Sequence, residues 1–310
     1  MPMKTIKKYF SILKESGSEF LDDNGLKLSA ALSYYTIFSL APMLLVIISI
    51  FSIFFGRDAI QGELFGQIKG LVGASAAAQL QEILKNAELS NKSGLAAGIG
   101  IATLLVGATG VFAEMQDSIN YIWSIKSKPK KGWLQYLKNR LISFSLILTL
   151  GFLLVVSLGA SALVDVLSNR LERVFSEASV ILFYMVNLAL VLAVITALFT
   201  VIFKVLPDGD LRWKECIVGA SFTAILFLIG KFVISFYLGK SDLGAAYGTS
   251  ASIVILLTWI YYSSIILYFG AEFTKVYARQ DGAGITPNKH AVLVIRQEVD
   301  SKAPRRVPAG

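Results

Sequence analysis

The feature that most restricts this chain is where its charges are missing. Six runs, 29–55, 95–113, 141–164, 178–203, 216–238 and 249–271, are each long, apolar and almost free of Asp, Glu, Lys and Arg. A helix needs about 20 largely apolar residues to cross the hydrocarbon layer of a bilayer. In lipid, only helices and closed barrels satisfy every backbone polar group. Continuous runs of this length specify helices, because barrel strands are shorter and alternate. The expected fold is all-α: a polytopic membrane protein with a bundle of about six transmembrane helices. The first and fourth runs are longer than a straight crossing needs, which predicts tilt or a kink. Only 16% of the residues are charged, against about 25% in soluble domains.

Lys and Arg set the expected orientation. The N-terminal segment, the second and fourth loops and the C-terminal tail carry 21 of them, and the other three loops carry 7. Cytoplasmic loops hold the excess of basic residues, so both termini are expected inside. The net charge of +8 follows from this distribution without nucleic acid, and no nucleic-acid partner is expected. The first apolar run begins near Leu28, too late and too long for a signal-peptide core.

The expected division is a cytoplasmic amphipathic segment over 1–28, a membrane domain over 29–278 and a flexible cytoplasmic tail over 279–310. The tail contains Gly282, Gly284, Pro287, Pro304 and Pro308, a composition that favours disorder. In the first segment Ile6, Phe10 and Leu13 recur at helical spacing among lysines, which suits a helix on an anionic membrane surface. In the first outer loop Ile60, Leu64, Ile68, Leu71 and Val72 form a second amphipathic stripe. It reads as a cover over the bundle or as a gate.

One cysteine, Cys216, and one histidine, His290, leave no intrachain disulfide, no zinc cluster and no histidine-based catalysis to expect. No glycine-rich loop ends in Gly-Lys-Ser or Gly-Lys-Thr, so no ATP site is expected. No cofactor, metal site or catalytic residue is assigned.

The candidate functional residues are polar groups inside or beside the spans. In the first span Ser29, Ser33 and Thr36 share a face, and Pro42 predicts a mid-membrane kink. They read as helix-packing residues or as the wall of a polar cavity. The second span carries Gly100, Thr103, Gly107, Gly110, Glu114, Asp117 and Tyr121 on one face, with Asn120 beside it. Glu114 falls about 28 Å along the helix from Leu95, near the inner boundary. In the sixth span Tyr261, Ser264, Tyr268 and Glu272 make a matching stripe. Glu114, Asp117 and Glu272 are expected to gather at the inner boundary with a base such as Lys204 or Arg140, or else to be separate helix-end charges. Lys231 lies inside the fifth span. It either snorkels outward or pairs with Asp165, Glu177 or Asp242. Trp123, Trp133 and Trp213 are expected as interfacial anchors.

The run Ala-Leu-Ser-Tyr-Tyr-Thr-Ile-Phe-Ser-Leu-Ala-Pro within 29–45 resembles the first-span signature of the YihY/virulence factor BrkB family. Asn120 and Trp123 within 114–123, Leu206-Pro207-Asp208 with Trp213, Gly219-Ala220 leading to Tyr237, and Tyr247-Gly248 through Trp259 to Gly270-Ala271-Glu272 fit in order. The resemblance implies a bacterial inner-membrane protein with about six spans. Some members have been labelled ribonuclease BN, but the carboxylates here are scattered, and the basic residues fit topology better than an RNA groove. The leading functional expectation is transport or translocation of an ion, a small solute or an amphipathic lipid. The runner-up is a non-transporting scaffold for envelope processes. An intramembrane enzyme pairing Ser or Tyr with Lys231 has no motif behind it, so the protein is expected not to be an enzyme. Membrane lipids, envelope proteins or further copies of the chain are the expected partners.

Overall fold

The structure, a computed structural model, describes residues 2–56, 94–128, 177–240 and 251–295, with isolated positions between 61 and 81 and at 247. Its elements are α1 (Pro2–Asp22), α2 (Gly25–Phe55), α3 (Gly94–Ile122), β1 (Ile125–Ser127), α4 (Glu177–Val205), β2 (Gly209–Asp210), α5 (Trp213–Lys240), α6 (Ala251–Asp281), β3 (Thr286–Pro287) and β4 (Ala291–Leu293). The span expected at 141–164 and most of the outer-loop stripe at 60–84 lie outside the described residues. So do Arg140, Trp133, Asp165 and Asp242.

The chain is a mostly helical membrane protein. Leu188–Val205, Trp213–Ile234 and Ile253–Asp281 are long and apolar enough to cross a bilayer. A fourth crossing is broken: Gly25–Leu40 and Pro42–Ile48 meet at 47°. The bend falls where Pro42 removes a backbone donor and crowds the preceding turn. α2 packs on α3 and α6, α5 packs between α4 and α6, and α1 lies along α6.

Small residues set the helix spacings. At Gly107 a Cβ would stand 3.1 Å from the Pro42 ring, and at Gly110 one would stand 3.4 Å from Ser39 Oγ. The glycine stripe of α3 therefore receives the kink of α2. Between α5 and α6 the fit is reciprocal. Gly219 lies against Thr274 and Gly270 lies against Thr223, so closely that any Cβ would collide. Each threonine donates its hydroxyl proton to the glycine carbonyl one turn earlier in its own helix, at 2.7 Å in both cases. The hydroxyl is thus satisfied without reaching across, and the two backbones close on one another.

α1 ends at Asn24, whose φ of 56° is the left-handed conformation that asparagine tolerates. Next to it, Gly25 leaves room for the Phe20 ring, which is buried in the elbow. α1 buries Ile12, Ser16 and Phe20 and leaves Phe10 and Leu13 exposed. Phe10 and Leu13 of the apolar stripe read in the sequence therefore face away from the bundle.

The expectation of a flexible tail is corrected over residues 282–295. β4 pairs antiparallel with β1, and β3 pairs with β2. Further main-chain bonds run from Lys128 N to His290 O (2.7 Å), from Val294 N to Ser124 O (2.7 Å) and from Asn288 N to Asp208 O (2.9 Å). Glu215 completes the attachment. Its carboxylate accepts from Arg212 N at 3.0 Å, as a capping box does at a helix start, and from Ala283 N at 2.7 Å. Glycine and proline content suggests disorder only where no partner strands exist, and the two loops supply those strands.

Candidate functional site

The candidate polar residues do not form one site. The structure sorts them into three assemblies at the α1 end of the bundle and one apolar cavity deeper in it.

The first assembly joins α3 to α6. Ser118 Oγ donates to Glu114 Oε1 at 3.2 Å. The buried Tyr268 hydroxyl lies beside Ser118 with Glu114 and Asp117 near, but makes no well-formed hydrogen bond among the described residues. Asn120 is bound twice to Asp208: its Nδ2 donates to Oδ2 at 2.9 Å, and Asp208 N donates to its Oδ1 at 2.8 Å. Glu114 and Asp117 lie beyond Ala113, where the apolar run of α3 ends. Burial raises the proton affinity of Glu114; the Ser118 bond offsets part of this and the charge of Asp117 adds to it. Asp117 is raised too, by its packed surroundings and by the charge of Asp208, although much of the residue is exposed.

The second assembly joins α1 to α6. The Lys275 ammonium lies 2.7 Å from Glu272, 2.9 Å from Glu19 and 3.1 Å from Asp23. Arg279 pairs with Glu15 and Glu19, and Lys8 pairs with Asp281. Glu272 is 0% exposed. Burial alone would raise the Glu19 carboxyl, but Arg279 and Lys275 outweigh it and hold the group down at about 2. The third assembly is Lys204, which pairs with Asp210, donates to the Leu211 carbonyl and stands 5.8 Å from the Trp213 ring centre.

The expected gathering of Glu114, Asp117 and Glu272 around Lys204 is therefore corrected. Tyr268 and Glu272 are one turn apart on α6, so they leave that helix on nearby faces. Tyr268 meets the acids of α3, whereas Glu272 meets Lys275 and the acids of α1. Lys204 serves the loop before α5. Trp123 is also corrected: it is 2% exposed and donates its indole proton to the Ala271 carbonyl at 3.1 Å. It is a core tie between α3 and α6, while Trp213 is exposed. Lys231 is half-buried on α5. Sequence reasoning missed Lys275, because it lies one turn past the apolar run and reads as a topological charge. Its i, i+3 spacing from Glu272 was the available signal.

Several residues that carry the family resemblance are far apart in sequence, yet they meet at this end of the bundle. Asn120 holds Asp208, Trp123 holds Ala271, and the Gly219 and Gly270 backbones close the α5–α6 seam.

Deeper in the bundle a cavity of about 340 Å³ is lined by five helices, with Thr36 and Met43 of α2, Phe112 of α3, Phe199 of α4, Phe227 of α5 and Trp259 of α6 in its wall. Among the described residues its lining is apolar apart from the hydroxyls of Thr36, Ser39, Ser263 and Ser264 and the ring of Trp259. Three of these donate to carbonyls of their own helices: Thr36 to Leu32 at 2.7 Å, Ser263 to Trp259 at 2.9 Å and Ser264 to Ile260 at 2.8 Å. Ser29 and Ser33 do the same, to Gly25 at 2.7 Å and Ala30 at 2.8 Å, and both are buried in helix contacts. Of the first-span stripe, Thr36 alone reaches the cavity. Pro42 shapes it by bending α2. From α6, Ser264 lines it and Tyr261 does not.

No solved structure matches the chain. A UPF0761 membrane protein of Vibrio vulnificus is 28% identical over 258 residues, covering 81% of this chain and 77% of the relative. One of Aliivibrio salmonicida is 28% identical over 285 residues, covering 88% and 84%. One of Stenotrophomonas maltophilia is 29% identical over 268 residues, covering 83% of this chain but 58% of that longer relative. The family model described as virulence factor BrkB matches residues 17–293, which takes in helices α2 to α6 and all four strands, and on that match the chain belongs to the virulence factor BrkB family.

Proposed function

We propose that this protein transports or translocates a small molecule or lipid through the bundle, from an inner-membrane location with both termini in the cytoplasm. The observation that carries this reading is the cavity lined by five helices beside the α2 bend. Packed membrane bundles bring small residues together to remove voids, as the α3 glycines and the α5–α6 seam do here. A space of about 340 Å³ is nevertheless left among them, room for a molecule rather than a helix contact. The bend supplies a second element of a pathway, since broken helices in membranes stand where backbone lines a cavity. The scaffold reading draws support from the back-bonded Ser29 and Ser33, which are packing residues, but it gives the cavity no use.

Reconstitution in liposomes tests the proposal. Fluorescent-lipid scrambling and ion flux are measured in parallel on the same vesicles. Activity in either assay above protein-free vesicles supports transport. Silence in both, with the protein folded and inserted, returns the reading to a scaffold.

A further inference from the structure

α1 and its elbow sort their charges by face. Toward α6 they turn Lys8, Glu15, Glu19 and Asp23, which pair with Asp281, Arg279 and Lys275. Away from α6 stand Lys7, Phe10, Leu13, Lys14 and Leu21, all exposed, at spacings that keep them on one side of the helix. Phe10 is 68% and Leu21 64% exposed. Lys7 and Lys14 make no ion pair among the described residues. Of the acids in α1, Asp22 alone is exposed. The outer face is thus apolar along its centre and basic at its flank. Its level follows from what α1 packs against. Phe20 meets Phe269 edge-on at 5.7 Å, Ile12 packs with Phe273, Val276 and Tyr277, and Lys8 reaches Asp281. α1 therefore runs antiparallel along the end of α6. Across the α5–α6 seam Gly219 lies against Thr274, and Ile217, just before it, is exposed. The apolar outside of the bundle thus reaches the level of Ile12 and Leu13. Exposed Trp213 and Lys214 follow at the start of α5. Apolar surface giving way to tryptophan and lysine marks the edge of a bilayer.

We propose that the outer face of α1 docks on an anionic phospholipid leaflet, with Phe10, Leu13 and Leu21 among the lipid chains and Lys7 and Lys14 on the phosphates. Charge complementarity selects this occupant. A neutral leaflet accepts the apolar side chains but gives the lysines no net counter-charge, whereas anionic headgroups attract each of them. Pairing Glu15, Glu19 and Asp23 with α6 is part of the same arrangement, because acids on the outer face would repel those headgroups. The docking surface stands whether or not the bundle transports.

The test uses the full-length protein in nanodiscs of mixed phosphatidylcholine and phosphatidylglycerol, with bromine as a quencher on the chains of one lipid or the other. A bimane dye is attached at Leu13→Cys, or at Ser18→Cys, which is exposed on the same side and leaves Leu13 in place. The parent protein, whose Cys216 is buried, gives the background. Brominated phosphatidylglycerol should quench the dye several-fold more strongly than brominated phosphatidylcholine at the same share of lipid. Lys7→Gln together with Lys14→Gln should bring the two to equality. High salt, which screens the same charges, should narrow the difference and serves if the double variant does not insert. A dye at Phe232→Cys, on the exposed apolar side of α5, should be quenched equally by both lipids throughout. No quenching at α1 by either lipid, equal quenching by both with the lysines present, or a preference that survives both charge removal and salt would each overturn the proposal. Emission that follows the number of copies per disc instead of the lipid would also overturn it and give the face to a second copy of the chain.

Discussion

The two ends of α6 are held by opposite physics. From Trp259 to Leu267 the helix faces an apolar cavity, and its hydroxyls turn back onto its own carbonyls. From Tyr268 to Asp281 it is gripped by side chains of α1, α3 and α5 through ion pairs, a tryptophan tie and the Gly–Thr seam. The first region is closed by shape and leaves a space. The second is closed by paired charge. A membrane protein that moves something needs both: a rigid end to fix the helices and a looser interior where a molecule can lodge.

The largest expected effect comes from Lys275. Lys275→Ala leaves Glu272, Glu19 and Asp23 without their shared cation, a loss of about 3 to 5 kcal/mol, read as unfolding in detergent. Adding Glu272→Gln should recover part of it. If Lys275→Ala unfolds like the parent protein, the charged grip does not hold this end.

Gly219→Ala comes next. Its new methyl group collides with Thr274, at a cost of about 1 to 3 kcal/mol from overpacking. Thr274→Ala in the same chain should relieve much of the loss, and additive losses would mean that the two residues do not meet.

A smaller effect is set by pH. The folded Glu19 carboxyl sits at about 2, below its usual 4.5, so its contribution is complete above about pH 4.5 and fades as the pH falls toward 2. Limited proteolysis of the α1 segment should therefore speed up across that window, and Glu19→Gln should abolish the extra acid response. A protease rate flat from pH 5 to 2.5 would separate α1 docking from this pair.

The smallest effect belongs to the cavity wall. Thr36→Val removes a hydroxyl bonded within its own helix and should change stability by only about 0.6 kcal/mol. A change of several kcal/mol in the melting experiment would mean that the wall is packed as tightly as the α1 end.

Much of the architecture was legible because its causes are local. Pro42 predicts a bend from its own chemistry, and a bend of 47° stands there. The lysines beside Ile6, Phe10 and Leu13 predict a surface helix, and α1 keeps Phe10 and Leu13 outward. The stripe Gly100–Gly107–Gly110 predicts close helix contact, and Gly107 and Gly110 receive Pro42 and Ser39. The site was less legible. Periodicity tells which residues share a face of a helix but not which helix that face meets. Tyr268 and Glu272 share a stripe on α6 and still go to different partners. The tail misled for a related reason: Thr286–Pro287 and Ala291–Leu293 become strands only because loops 76 or more residues earlier offer edges to them.

The sequence by itself determined that this chain lives in a membrane as a set of helices, because apolar run length and the distribution of Lys and Arg act segment by segment against the bilayer. Tertiary structure decided the rest. It chose Lys275 rather than Lys204 as the cation for Glu272, set Trp123 in the core rather than at the interface, and left a cavity beside the α2 bend. These outcomes depend on how helices far apart in the chain are rotated and spaced against one another. In lipid that is governed by small-residue contacts and buried polar pairs between helices, and no single segment carries that information.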